Sequence, residues 1–314
     1  MSHWARIELE NQAPAVPRPG PPTGRARAVP RLRRSERLVV GAIDGGAHVL
    51  QRRARDLLVG AGVLMVPMAG LYVLLSVVAY GQFDRFDNLL GDHGYLGVEK
   101  GLGLIAITVQ SLTAHIVGAY AAIYVVRYQL GGEPSMWPML KQVGRRLPVL
   151  FALWALQRGV PLLLIGLIYL NNDNAVLVGL GLLFSPFLAL ISTWTLFVAP
   201  VAMCEEAGFG AFRRARRLAK ARRGSVYSFV WAAGFVAAVL LGCITSLPGL
   251  AGSTKLLTFG HYRWLAEGLA AQLALLVVMP FSGAATAQMY LQTRVHGEGL
   301  DIALSADRAF GVQR

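Results

Sequence analysis

The chain has 314 residues, of which 55% are hydrophobic and only 15% charged, with a mean hydropathy of +0.50 and a formal net charge of +13. Soluble domains rarely combine that hydropathy with so few charges. The composition therefore points to an all-α, polytopic membrane bundle rather than a set of soluble domains.

Residues 1–35 are rich in Pro, Gly and Arg and contain no apolar core of a signal peptide. Such a segment buries too little apolar surface to offset its ordering entropy, and it reads as a disordered tail. The run LLVGAGVLMVPMAGLYVLLSVVAY, residues 57–80, carries no charge, and about 20 apolar residues are enough for a membrane-crossing helix. Hydropathy gives six such spans, 57–80, 103–126, 148–170, 175–199, 226–247 and 264–290, inside a membrane domain of residues 36–290. Residues 291–314 read as a C-terminal tail. Pro67, Pro161, Pro186 and Pro280 fall inside spans, where neighbouring groups re-satisfy the carbonyls they free.

The basic residues alternate in sides. Segments 1–56, 127–147, 200–225 and the tail after 290 together hold 25 Lys and Arg, whereas the connections between them hold 4. Basic residues concentrate on the cytoplasmic side, so both termini are expected there. Arg outnumbers Lys 26 to 4, a bias of GC-rich genomes that suggests a bacterial plasma membrane. Cys204 and Cys243 fall near opposite faces in this topology, and two free thiols are expected because a disulfide needs Cα atoms within about 7 Å.

The densest block is AFRRARRLAKARR, from Ala211. As a helix it is amphipathic: Ala211, Phe212, Ala215, Leu218 and Ala219 share one face, and Arg213, Arg214, Arg216, Arg217, Lys220 and Arg223 cover the rest. Lying in the interface, this face would meet anionic lipid head groups or a membrane-protein partner, a second copy of the chain included. No aromatic stacking platform accompanies it, which argues against nucleic acid. Segments from Val39 (apolar stripe Val39, Ile43, Ala47, Leu50), Gly131 and Ala207 share a plan of amphipathic stretch, arginine pair and span. That plan is expected of a three-fold hairpin repeat with interfacial helices, although positive-inside selection alone also produces it.

The stretch FVAPVAMCEEAGFGAFRRARRLAKARRG, with Ala199–Pro200, Glu205 or Glu206 and the basic helix Ala211–Arg217, resembles the glycerophosphoryl diester phosphodiesterase membrane-domain family and its six-span bacterial relatives. The ending YLQTRVHGEGLDIAL is similar to theirs at Tyr290, Arg294, Glu298, Gly299, Leu300 and Asp301. It departs from them at Ala215, Arg216, Ala221, Gln292 and His296. The resemblance implies a six-span membrane module without the soluble phosphodiesterase domain, and therefore no phosphodiesterase activity.

Catalytic signatures are missing. GxxxxGK[ST], HExxH, GxSxG and zinc-spaced cysteines do not occur. Asp44-Gly-Gly-Ala-His48 resembles the start of a membrane phosphotransferase motif, but the further metal-holding aspartates do not follow. No enzyme activity, metal or cofactor is expected. Gln157 and Arg158 lie about 15 Å into the third span, near mid-depth. An Arg there costs at least about 2.5 kcal/mol on insertion scales, so it should face the bundle interior and find a partner. Glu267 is the charge-complementary candidate, with His115, Gln110 and Gln272 as polar ones. The group reads either as a polar site or as a structural clamp that serves carbonyls freed by Pro161.

These features favour a non-enzymatic membrane protein that organises or assists a membrane or envelope complex. The alternative, motivated by Arg158, is a transporter or channel-like protein for a small anionic or amphiphilic solute. The orientation is open to direct labelling: a cysteine introduced at Asn172 should react with an impermeant thiol reagent from outside the cell, and one at Ser225 should not. The opposite pattern overturns the topology.

Overall fold

The computed structural model of the chain describes residues 37–81, 83–170, 183, 186–187, 189–205, 207–253 and 263–300. Among them the regular structure is helical throughout: α1 (Leu38–Arg52), α2 (Ala54–Gly81), α3 (Phe83–Gln129), α4 (Met136–Leu170), α5 (Val198–Cys204), a 3-10 turn (Gly208–Gly210), α6 (Ala211–Ala221), α7 (Arg223–Thr245), α8 (Leu247–Ser253) and α9 (Arg263–Glu298). Five segments are long and apolar enough to cross a membrane, Ala54–Leu74, Leu104–Gln129, Met136–Leu164, Arg223–Gly252 and Gly268–Glu298. The expected span 175–199 lies largely outside the described residues. Its described end belongs to the shorter apolar helix Ala189–Cys204, which is interrupted at Leu196–Phe197. The expected tail 1–35 and residues 301–314 also lie outside.

Hydropathy located the spans but not the helix ends. The expected connection 81–102 falls mostly within α3, and α9 continues past residue 290 to Glu298. A helix once nucleated propagates beyond its apolar window, because each added residue gains one hydrogen bond. The stops come where glycine allows left-handed backbone. Gly131 has φ 85° just after α3, and Gly299 has φ 63° just after α9.

α9 is the hub and packs on α1, α3, α7, α2 and α6. It enters the centre through small residues. A Cβ on Gly46 would stand 2.7 Å from the Ala285 backbone, and one on Gly283 would stand 2.8 Å from the Ala121 Cβ and 2.9 Å from the Gly118 Cα. Close backbone approach of this kind substitutes packing for the hydrophobic drive that lipid does not supply. Gly118 of α3 thus serves a contact within the chain.

The short amphipathic helices are packed as well. α1 buries Leu38, Ala42, Gly46 and Val49. The expected Val39, Ile43, Ala47 and Leu50 stripe lies beside that buried face and is half-buried, with Val39, Ile43 and Leu50 packed against the core. α6 buries Ala211, Ala215, Leu218 and Ala219, as its spacing predicts, but against α5 and α9. Outward-facing Val63, Val66, Leu156, Leu163, Phe235 and Leu273 are exposed, an apolar surface suited to lipid. α1 joins α2 across a kink at Arg53 (φ −126°), and α6 joins α7 across a similar kink at Arg222 (φ −135°). The third segment of the expected repeat has no such joint, since α4 runs unbroken from Met136.

Gly46→Leu should lower the stability of the purified chain by about 1–3 kcal/mol, because the α1–α9 crossing must open. Gly234→Ala should leave it nearly unchanged, since a Cβ there meets nothing within 4 Å. Thermal unfolding in detergent measures both, and equal effects would remove the special role of the crossing.

Candidate functional site

Three arginines mark a common level at one end of the bundle. Arg127 on α3, Arg146 on α4 and Arg294 on α9 all lie close enough to Cys204 to act electrostatically on its thiol. Counting twelve residues inward along each helix reaches His115, Arg158 and Ser282. Twelve residues correspond to about 18 Å, so these three side chains lie at one depth well inside the bundle. All three line a single cavity of about 660 Å³.

The cavity has two kinds of wall. Gln110, Ser111, His115, Gln157, Arg158 and Ser282 give a polar side, joined by Ser192 and Thr286. The opposing wall comes from α7, through Phe229, Val230, Ala233, Gly234, Ala237 and Leu241. α7 packs on α9 and α1, and no residue in the most apolar window of its span is buried.

The polar wall is built locally. Trp154 Nε1 donates to Ser111 Oγ at 3.2 Å and ties α4 to α3. Gln157 Nε2 donates at 3.3 Å to the carbonyl of Thr195, just before the break at Leu196–Phe197. Pro161 has no N–H for the Gln157 carbonyl, and Pro200 has none for that of Leu196. Among the described residues four side-chain atoms are buried without a hydrogen-bond partner, Gln272 Oε1, Gln288 Nε2 and, beside this wall, His115 Nε2 and Gln157 Oε1, and Gln157 itself is only 8% exposed. Native interiors seldom leave such atoms unsatisfied. Among the described residues Arg158 has no carboxylate partner.

The structure therefore brings Arg158, Gln157 and His115 together with Gln110. Gln272 lies elsewhere, in an adjoining cavity of about 200 Å³ with Gln110 and Tyr72. The Glu267 side chain lies outside the described residues, and its position on α9 is fifteen residues beyond Ser282, about 22 Å along the axis. Among the described residues no group of three or more His, Cys, Asp and Glu is placed to hold a metal ion.

A second polar feature sits at the arginine level, where Glu205 joins three elements. It accepts from Tyr290 Oη at 2.7 Å and from Arg214 Nε at 2.8 Å, with Arg294 Nη1 at 3.6 Å. Glu298 faces Arg214 Nη1 at 2.5 Å and Arg294 Nε at 3.0 Å. Burial alone would lower the Arg214 guanidinium, but its hydrogen bonds to Glu298 and Glu205 outweigh this and raise it above the ordinary arginine value. Burial, reinforced by Glu205, pushes the Cys204 thiol up to about 12, which makes it a poor nucleophile. Cys204 and Cys243 are both free.

The sequence pointed to the members of this cluster separately, as positions of the family resemblance, without showing that Glu205, Arg214, Tyr290, Arg294 and Glu298 meet. Glu206 and Asp301 lie outside the described residues. The basic face of α6 is divided in use. Arg214 belongs to the cluster, and the Arg216 and Arg223 guanidinium groups stack over the Trp194 ring at 5.2 and 5.8 Å. Arg213, Arg217 and Lys220 are exposed.

No model of a known protein family matches the chain, and neither a curated protein nor a solved structure matches it significantly. Its class rests on the fold and the site: a helical bundle with five candidate membrane-crossing helices, a polar cavity deep between them and an ion cluster at one end.

Glu205→Gln should cost about 1–2 kcal/mol in unfolding free energy, because Arg214 and Tyr290 lose a charged acceptor. The Arg214–Glu298 pair, which is partly solvent-exposed, should show a coupling of about 1 kcal/mol or less in a double-mutant cycle. A larger coupling with no effect at Glu205 would shift the centre of the cluster to Glu298.

Proposed function

We propose that the chain is a multi-pass membrane transport protein that takes a small anionic or amphiphilic solute into its interior cavity, and that it is not an enzyme. The observation that carries this reading is the unpaired set on one wall. Among the described residues, a cation without a carboxylate partner lines a space of about 660 Å³, and two of its neighbouring lining residues each bury a polar atom without a hydrogen bond. A cation in a bilayer interior marks a solute or ion pathway by default, and that volume lies within the range of small-molecule sites. A clamp on freed carbonyls fits less well, since Arg158 makes no hydrogen bond among the described residues.

The arginine-rich end is then the cytoplasmic one in a bacterial plasma membrane, as the distribution of basic residues supports. Six spans in three related hairpins, as in the family resemblance, belong to the same reading. The kinks at Arg53 and Arg222 support two of the three copies. A second reading, a module that organises a membrane complex, draws on exposed Arg213, Arg217 and Lys220. These residues suit anionic lipid head groups or an acidic partner surface.

Reconstituted in zwitterionic vesicles and offered a panel of labelled anions, the chain should pass at least one of them. Arg158→Leu should reduce that flux by about tenfold or more, the value of one charge-assisted hydrogen bond. Flux that is absent for every solute, or equal in Arg158→Leu, would discard transport through this cavity.

A further inference from the structure

At the arginine-rich end a further concavity, open to the surface, lies between α3 and α4. It has a volume of about 510 Å³ and is lined by Arg127, Pro138, Lys141, Gln142, Arg145 and Arg146. On α4 these positions recur at helical spacing from Pro138, which puts them on one face. Arg127, in the last turn of α3, reaches the same space from the neighbouring helix. No Asp or Glu lines it among the described residues. Glu133, the acidic residue of the connection between the two helices, is not part of the lining.

Two of the four cations are held in place. Arg127 Nη2 donates to Gln142 Oε1 at 2.8 Å, from α3 to α4, and Arg146 Nη1 donates to the Ala202 carbonyl of α5 at 2.5 Å. Lys141 and Arg145 are exposed, and their side chains have no partner among the described residues. As like charges one helical turn apart they repel. A basic end is enough to orient a chain in a membrane, but it does not require four cations to converge on one concave face without an acid. An anion bearing two phosphates accounts for that convergence. Arginine presents a planar fork to phosphate oxygens, and lysine adds a point charge.

The surroundings favour a lipid over a soluble phosphate. Trp137, beside Pro138, is 66% exposed, and tryptophan settles at the level of lipid head groups. α4 runs unbroken through Pro148. The face of Arg145 recurs along it at Val149, Ala152, Leu156 and Val160, and Leu156 and Val160 are exposed. Leu156 lies about 16 Å from Arg145 along the axis, at the depth of acyl chains. We propose that this space is an anionic-lipid site, with a head group carrying two phosphates on Arg127, Lys141, Arg145 and Arg146 and acyl chains on the Leu156 and Val160 face of α4. Basic pockets between membrane helices recognise such heads. The site is separate from the interior cavity, and its test stands whether or not the cavity carries a solute. Soluble diphosphates share the head chemistry, so the test separates the two sources.

The experiment is native mass spectrometry of the full chain in mild detergent. The probes are cardiolipin (two phosphates), phosphatidylglycerol (one), phosphatidylcholine (no net charge) and inorganic pyrophosphate. One cardiolipin per chain should be retained in preference to the other lipids. Lys141→Gln with Arg145→Gln should weaken that retention by about tenfold or more. Arg213→Gln with Arg217→Gln, which removes the same charge from α6, should change it by less than about twofold. Both pairs are exposed, so each variant should melt like its parent. If the first does not, Lys141→Gln decides alone. Equal losses from the two pairs would show attraction by overall charge and overturn the site. Phosphatidylglycerol retained as well as cardiolipin would overturn the two-phosphate assignment. Pyrophosphate binding that needs Lys141 and Arg145, without cardiolipin retention, would overturn the lipid assignment in favour of a soluble phosphate ligand. Retention of none of the probes would overturn the proposal as a whole.

Discussion

Helix α9 can occupy the centre of the bundle only where its neighbours have almost no side chain. Gly46 lets α1 reach the Ala285 backbone, and Gly283 lets α9 reach α3 at Gly118 and Ala121. In lipid, helices gain little from excluding apolar surface, so such contacts depend on packing distance. The polar residues of α9 are placed by this crossing. Tyr290, Arg294 and Glu298 continue along the same helix to the ion cluster, and Ser282 and Thr286 turn toward the cavity.

The two polar features obey opposite rules. At the arginine level Arg214, Arg294, Glu205 and Glu298 have partners within about 3 Å and Arg216 has a ring beneath it, and the groups remain partly solvated. Such a network fixes α6 against α9 and contributes modest stability. About 18 Å inward, the pattern reverses: among the described residues Arg158 has no carboxylate partner, and Gln157 Oε1 and His115 Nε2 are buried without a hydrogen bond. Stability alone gives no reason to keep such groups, since an apolar wall would be cheaper. Their retention beside open space is what supports reading the cavity as a site rather than a packing flaw.

α2 and α3 are held at the same end by a separate device. Tyr124 donates to the Asp56 carboxylate at 2.7 Å and Tyr120 to its carbonyl at 2.8 Å, while Arg53 lies over the Tyr128 ring at 5.4 Å. Asp56 is thereby an anchor between α2 and α3. With α2 and α3 joined there and α3 tied to α4 by Trp154 and Ser111, α7 is the long helix with the fewest ties. It is also the apolar wall of the cavity.

Composition and hydropathy by themselves determined the class, all-α and multi-span, because bilayer thickness demands long apolar runs whatever the packing. Helical spacing determined the buried face of α6, and depth along one helix singled out Gln157 and Arg158. What these periodicities do not encode is which helices touch. The expected stripe of α1 lies half-buried beside the positions that pack most deeply, and helix ends moved because glycine geometry, not loss of hydropathy, stops a helix. The meeting of Glu205 with Tyr290, and of Arg158 with His115 and α7, joins residues far apart in the chain. Only tertiary packing decided them, because side-chain chemistry fixes what each group needs but backbone approach fixes what it finds.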